Sequence, residues 1–200
     1  MADESIRIVL VNGSVRPGNY TGKALALVAD ELALDPRVRV TRIEPASLNM
    51  PPPGVDPESA ATRALQAEVK AAAAVVLATP EYHGGMSSVI KLVIENLGFP
   101  SAIAGKPVAL VGVAAGAIGA IKSLEQLRSV CAHIGGNVLP LGVSVANVQK
   151  AFDAEGRCLD PAAEKNLRRA ATSLLDYLGK HVCPAMTLER LLREGATTKA

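Results

Sequence analysis

Aromatic residues are nearly absent from this chain of 200 residues: three Tyr, two Phe and no Trp. A module that stacks nucleic-acid bases needs a platform of such rings. Net charge is equally sparse. Twenty-one Lys and Arg face nineteen Asp and Glu, a formal +2, and no basic run is long enough to track a phosphate backbone. Nucleic acid is therefore not expected as a partner. Cysteine is scarce as well. Cys131, Cys158 and Cys183 are far apart and form no C-x-x-C, which argues against a zinc knuckle and a thioredoxin motif. Three buried or idle thiols in a reducing cytosol are the expectation. The three histidines are just as scattered, so no metal site is expected. No apolar stretch approaches the roughly eighteen uninterrupted residues of a membrane span. The start, Met1-Ala2-Asp3-Glu4-Ser5, is acidic and runs straight into a strand, unlike a signal peptide. A cytoplasmic chain without a membrane partner is expected.

What the chain does have is aliphatic residues, arranged in alternating periods. Ile6–Val11, Val38–Ile43, Val75–Ala78, Pro107–Val113 and Val138–Val145 read as strands, the last bent at Pro140. Between them, Gly22–Leu34, a segment opened by Pro57-Glu58-Ser59, Ser87–Leu97 and a stretch ending near Ile134 read as helices. Pro161–His181 reads as the final helix, with Asp160 as its cap. Pro51-Pro52-Pro53-Gly54 can be neither helix nor ladder. Five strands alternating with five helices give an α/β chain with a five-stranded parallel sheet covered on both faces. Right-handed crossovers leave few topologies, and the order 2-1-3-4-5 leads. Residues 1–183 are expected to form one domain. Residues 184–200 are expected to add a short amphipathic helix, Thr187–Arg193, and a frayed tail from Glu194.

Three loops at strand ends carry the chemistry. Thr79-Pro80-Glu81-Tyr82-His83-Gly84-Gly85 joins a rigid Pro, flexible glycines and one flat side chain, a turn suited to a planar heteroaromatic ligand. Asn12-Gly13-Ser14-Val15-Arg16-Pro17-Gly18-Asn19-Tyr20-Thr21 is rich in donors. Ser14, Asn19, Tyr20 and Thr21 offer hydroxyl, amide or backbone groups, and Arg16 adds a charged fork. A phosphate needs that supply, best placed at a helix N-terminus. Gly13 and Gly18 have Walker spacing, but Asn19-Tyr20 follow where Lys-Ser would be required. Val15 occupies the place of the second glycine of a dinucleotide fingerprint. Together these departures favour a monophosphate. Gly112 to Gly119 is the third loop, built of small residues.

These loops resemble those of the NADPH-dependent FMN reductases, a flavodoxin-like family of flavin, quinone, azo-dye and chromate reductases. Gly13-Ser14-Val15-Arg16-Pro17-Gly18-Asn19 is similar to its phosphate loop, and Thr79-Pro80-Glu81-Tyr82-His83-Gly84 to its isoalloxazine loop. The likeness runs from about residue 5 to 180. It implies a flavodoxin-like three-layer sandwich. It also implies that Ser14, Arg16, Asn19, Tyr20 and Thr21 hold the FMN phosphate, and that Pro80, Glu81, Tyr82, His83 and Gly84 line the ring. Ala115 and Gly116 would approach another side of the flavin. Asn19 stands where the family often has Ser, and His83 where it usually has Asn. The implied reaction is hydride transfer from NADPH, or NADH, to flavin N5 and on to free flavin, a quinone, an azo dye or chromate, by a ping-pong route. No catalytic side chain is required for it. A flavodoxin-like electron carrier or an FMN-binding redox sensor is the alternative. Carriers are usually acidic and sandwich the ring between aromatics, and this chain is neither acidic nor aromatic.

The helix Ser87–Leu97 is apolar nearly all round, through Val89, Ile90, Leu92, Val93, Ile94 and Leu97. A helix covering one sheet face needs a single apolar stripe. A homodimer or homotetramer is expected, as is common in the family, and the resemblance implies flavin sites near the subunit boundary with the Pro51–Gly54 loop close to them.

Overall fold

Unbroken apolar runs build the centre of the sheet, because parallel strands covered on both faces have no solvent side. The computed structural model describes residues 5–189. In chain order these form β1 (Ile6–Asn12), α1 (Tyr20–Leu32), β2 (Val38–Ile43), α2 (Ala60–Ala71), β3 (Ala74–Tyr82), β4 (Gly85–Met86), α3 (Ser88–Glu95), β5 (Pro107–Val113), α4 (Ile121–His133), β6 (Asn137–Val145), α5 (Val148–Ala151) and α6 (Pro161–Tyr177). The parallel sheet runs β2-β1-β3-β5-β6. With the two-residue β4 set aside, that is the expected order 2-1-3-4-5.

Period-two alternation splits the apolar residues into two cores. Ile8 and Leu10 of β1 face α1 and α6, packing with Leu25, Leu32, Leu167 and Leu174. Val9 and Val11 face the other way, toward Leu65 of α2, Ile90 of α3 and Leu127 of α4. The helices begin where a side chain can take an orphan N–H. Asn19, Ser59, Ser87 and Asp160 accept from Gly22, Thr62, Ile90 and Ala162 respectively.

Several boundaries differ from expectation. The first helix starts at Tyr20 because Asn19 caps it, so Tyr20 and Thr21 belong to its first turn. The second starts at Ala60, after the Ser59 cap, and not at Pro57. The third strand continues through Thr79-Pro80-Glu81-Tyr82 before turning back as β4. β1 pairs with β3 only as far as Ala78. Pro80 therefore lies beyond the β1 partner and costs no ladder bond there. The turn itself is only His83-Gly84, with φ of 50° and 73°, the left-handed pair that a tight hairpin requires. The bend in β6 lies where Pro140 placed it, as a register shift between Val108↔Val138 and Leu110↔Gly142. The last helix changes to a wider turn at Leu178–Val182, and residues 183–189 are helical again. Met1–Glu4 and the tail from Glu194 lie outside the described residues, as do the last four positions of the expected Thr187–Arg193 helix.

One buried polar clamp joins the ends of β1 and β3 to α3. Gly13 N–H donates to the Ala78 carbonyl at 2.8 Å. The Ser87 hydroxyl donates to the Gly13 carbonyl at 2.6 Å and accepts from Ile90 N–H at 3.1 Å. Ser87 N–H donates to the Thr79 hydroxyl at 3.0 Å. Thr79 and Ser87 are buried, so water cannot replace a lost partner. Ser87→Ala should cost about 2 kcal/mol, the scale of a lost cap together with an unpaired buried carbonyl. Urea unfolding followed by circular dichroism reads this, and an unmoved midpoint would show that the clamp holds nothing.

Candidate functional site

The strand order reverses between β1 and β3, and open α/β sheets place their ligand crevice outside such a point. A cavity of about 300 Å³ opens there. Ser14, Arg16, Pro17, Gly18, Asn19, Tyr20 and Thr21 line one end, from the β1–α1 loop and the first turn of α1. Pro80, Glu81 and Tyr82 line the other, from the end of β3. Val113 at the end of β5 and Ala114 and Ala115 after it, with Val148 and Gln149 of α5, make the remaining wall. Of the residues expected at a site, Ser14, Arg16, Asn19, Tyr20, Thr21, Pro80, Glu81, Tyr82 and Ala115 thus share one cavity. His83, Gly84 and Gly116 do not line it.

The first loop is held open by its own hydrogen bonds. Asn19 Nδ2 donates to the Arg16 carbonyl at 2.7 Å, and Asn19 Oδ1 accepts from Gly22 N–H at 2.7 Å. Asn19 is thus a loop clasp and helix cap, and its side chain is largely engaged. The first N–H groups of a helix lack partners within it. Those of Tyr20 and Thr21 are left to a ligand or water, with the dipole favouring negative charge. Lys23 fixes the far side of this turn. Its ammonium donates to the Asp153 carbonyl at 2.6 Å and lies 5.0 Å from the Tyr20 ring centre.

The second loop supplies a flat surface. The Arg16 guanidinium lies over the Tyr82 ring, 5.3 Å from its centre, so the two loops touch across the cavity by a cation–π contact. Glu81 does not present a free carboxylate. Its Oε2 accepts from Ser123 N–H at 3.1 Å, at the start of α4, whose N-cap Ala120 makes no side-chain cap bond. A carboxylate there also complements the helix dipole. His83 is exposed and holds a left-handed backbone position, which His and Asn tolerate better than most residues. The Lys122 side chain passes over Gly84, with its Cδ 3.5 Å from where a Cβ would stand.

The third loop is pinned by backbone alone. Ala114 N–H donates to the Val145 carbonyl, Val148 N–H to that of Ala114, and Asn147 N–H to that of Gly116. Val148 and Gln149 are the lining residues that sequence reasoning missed. The available signals were their position beyond the C-terminal end of the last strand and Asn147, a left-handed residue with φ of 46°.

Other chemistry is weak in this molecule. Burial pushes the Cys131 thiol up to about 12, and burial raises Cys158 as well, so neither serves as a thiolate at neutral pH. Cys183 is exposed. Among the described residues no group of His, Cys, Asp and Glu could hold a metal ion, and no helix is long and apolar enough to cross a membrane.

The model of the family of NADPH-dependent FMN reductases matches residues 6–150. An NAD(P)H-dependent FMN reductase of Pseudomonas aeruginosa is 30% identical over 187 residues, spanning 87% of this chain and 95% of its own length. An NADPH azoreductase of a Bacillus species is 41% identical over 80 residues, 40% of this chain and 44% of that protein. Among solved structures, the flavoenzyme NAD(P)H:(acceptor) oxidoreductase FerB from Paracoccus denitrificans has the same fold. It has a TM-score of 0.70 at 24% identity, over 88% of this chain and 98% of its own.

Glu81→Ala should destabilise the protein by about 1–2 kcal/mol, the scale of a lost helix cap. Glu81→Gln, which keeps an acceptor for Ser123 N–H, should lose less. Thermal melts of the pair check this, and equal stability of wild type and Glu81→Ala would remove the capping role.

Proposed function

Because this chain belongs to the NADPH-dependent FMN reductase family, we propose that the cavity between β1 and β3 binds FMN, with its phosphate at the α1 end and its ring against Pro80–Tyr82. The protein is a flavin-dependent oxidoreductase using FMN with NAD(P)H as electron donor. The finer reading is that NADPH, or NADH, and then an acceptor take turns at one open face, a ping-pong route. The acceptor would be free flavin, a quinone, an azo dye or chromate. One observation carries the assignment. A single cavity has hydroxyls, a guanidinium and open helix N–H groups at one end, and proline, tyrosine and alanine surfaces at the other.

The residues present fit such a group. Ser14, Arg16, Tyr20 and Thr21 would supply donors to the phosphate, with Asn19 shaping the loop around it. Pro80, Glu81, Tyr82 and Ala115 would border the ring, mainly through backbone and flat surfaces. His83 and Gly84 would act one step removed, by forming the turn that aims Tyr82, and Gly116 by holding Asn147. Bound FMN supplies the two-electron hydride chemistry itself. The chain's part is to bind, orient and leave room. Ala115, Gly116, Ala117 and Ile118 stand exposed beside the cavity, and three of them are too small to cover a ring. The hydride step needs no acid or base from the protein. An electron carrier without turnover is disfavoured. Its ring would be sandwiched between two aromatics, whereas the ring end of this cavity has one, Tyr82, and Tyr20 stands at the opposite end.

Association of two copies through α3 belongs to the same reading. Of the helix's apolar residues, Ile90, Val93 and Ile94 are buried within the chain, as is Leu97 just beyond it. That corrects the all-round apolar expectation: they are core, not interface. Val89 and Leu92 remain on the outer face, half-buried, and Phe99 beyond them is fully exposed. Lys91 pairs with Glu95 within the helix. Asn96 Nδ2 donates to the Pro51 carbonyl at 3.2 Å, which holds the Pro51–Gly54 loop beside this surface. An apolar patch of that kind is a mark of an interface.

Two measurements test the function and one the assembly. Arg16→Ala should weaken FMN about tenfold to a hundredfold, since a hydrogen bond to a charged group contributes about 1.5–3 kcal/mol. Riboflavin should bind both forms alike. Anaerobic NADPH or NADH should bleach the bound flavin, and failure of both donors would sink the reductase reading. Light scattering should give at least twice the chain mass, and Leu92→Glu should dissociate the assembly. A monomeric wild type would refute the interface and leave the flavin assignment standing.

A further inference from the structure

Beneath the polar end of the cavity runs a chain of hydrogen bonds that begins outside it, at the end of β2. We propose that Glu44 and Asn12 are positioning residues for the phosphate loop: Glu44 turns the Asn12 amide so that its oxygen holds the Ser14 N–H, which sets Ser14 where its hydroxyl reaches the cavity as a donor. The assignment rests on the flavin reading above and deepens it.

The direction of each bond follows from which groups can only accept or only donate. The ionised Glu44 carboxylate only accepts. Its Oε1 takes Arg42 Nη2–H at 3.1 Å and its Oε2 takes Asn12 Nδ2–H at 2.8 Å. The Asn12 amide nitrogen must therefore face Glu44, which turns Oδ1 toward the loop. There it accepts from Ser14 N–H at 3.2 Å. A flipped amide would set oxygen against carboxylate and N–H against N–H, so both ends select the same orientation. The Ser14 hydroxyl oxygen in turn accepts from Arg16 N–H at 3.4 Å. With that side occupied by a donor, the hydroxyl proton is free to donate elsewhere, and Ser14 lines the cavity. Asn12 is 2% exposed and Ser14 4%, so bulk water does not reset these choices. Gly22 shows how tightly the relay is held under α1. A Cβ there would lie 3.2 Å from Asn12 Nδ2 and 3.3 Å from Asn19 Oδ1.

Neither Asn12 nor Glu44 lines the cavity. Both border a separate hollow on the far side of the loop, with Lys23, Arg42 and Glu155. Their hydrogen bonds reach the cavity wall at the Ser14 backbone. A ligand that only accepts, such as a phosphate oxygen, matches the hydroxyl donor that Ser14 offers there. Riboflavin lacks the phosphate and should be indifferent to the relay. That difference separates positioning from general damage.

The test measures FMN and riboflavin affinity by flavin fluorescence in wild type, Glu44→Leu and Glu44→Gln, with circular dichroism melts alongside. Glu44→Leu should weaken FMN about tenfold, ~1.4 kcal/mol, and leave riboflavin within about twofold. Glu44→Gln keeps an acceptor for Asn12 and should restore most of the FMN affinity. Asn12→Leu is a second route of the same shape. It is close to Asn in volume, adds no charge and removes the acceptor for Ser14 N–H, and it should show the same loss confined to FMN. Parallel losses of FMN and riboflavin, or unchanged FMN affinity in both Glu44→Leu and Asn12→Leu, would overturn the assignment while wild type still binds FMN. Wild type that binds neither flavin would overturn the flavin reading, and this assignment with it.

Discussion

Everything at the ligand edge depends on how closely β1 and β3 meet at residue 13. A Cβ on Gly13 would lie 2.2 Å from the Ala78 carbonyl oxygen, a contact that no side chain can make. The missing Cβ lets the backbone extend the β1–β3 ladder by one more bond, from Gly13 N–H to Ala78. It also leaves the Gly13 carbonyl in reach of the buried Ser87 hydroxyl. Ser87 is at once a helix cap and a partner of Thr79. Two loops from different strands are thereby fixed to one another before any ligand arrives. Preorganisation of this kind lowers the ordering cost of binding. The cost is a glycine in a strand end, which gives up more chain entropy on folding than other residues do.

Much of this was legible in the sequence, for a physical reason. Parallel strands covered on both faces read as continuous apolar runs, so Ile6–Val11 and Pro107–Val113 announced themselves, and right-handed crossovers left little freedom of order. The donor-rich segment after β1 was legible as a cavity wall because hydroxyl, amide and guanidinium groups cluster there in sequence, and the structure brings them to one cavity. The Thr79–Gly85 segment was misread as a turn. Proline and glycine punctuate chains in general, but here the neighbouring strand ends first, and the chain stays extended to Tyr82. Glu81 as the cap of α4, and Asn12 and Glu44 beneath the phosphate loop, were not legible. Each is a contact between residues more than thirty positions apart, and no local pattern encodes such a pairing. The apolar girdle of α3 misled for the opposite reason. Composition around a helix cannot separate residues buried by their own chain from those left for another.

The site divides its work between side chains and backbone. At the polar end side chains dominate, with the hydroxyls of Ser14, Tyr20 and Thr21 and the Arg16 guanidinium lining the cavity. At the other end the shape comes from backbone: a strand running past its neighbour, a two-residue hairpin, and a loop of small residues tied by Ala114, Gly116 and Asn147. Such a wall offers surface more than side-chain donors. That is consistent with a family in which the cofactor carries the reactive centre and the protein supplies position.

Hydrogen-bond polarity links the two halves of this picture. A loop made only of hydroxyls and amides is ambivalent, since each of these groups can donate or accept. The ambivalence is removed where one end of a chain of bonds is held by a group with a single role. Glu44 has that role below the loop, anchored by Arg42 on β2, and it fixes the Asn12 amide, the last residue of β1, with its oxygen toward Ser14 N–H. By putting the end of β2 beside the end of β1, the sheet lets a half-exposed carboxylate orient a buried amide under the loop. A dinucleotide loop achieves affinity by close backbone approach at a glycine. With Val15 in that place, side-chain donors stand beside the open N–H groups of Tyr20 and Thr21, and such donors are defined only when the loop that carries them is held.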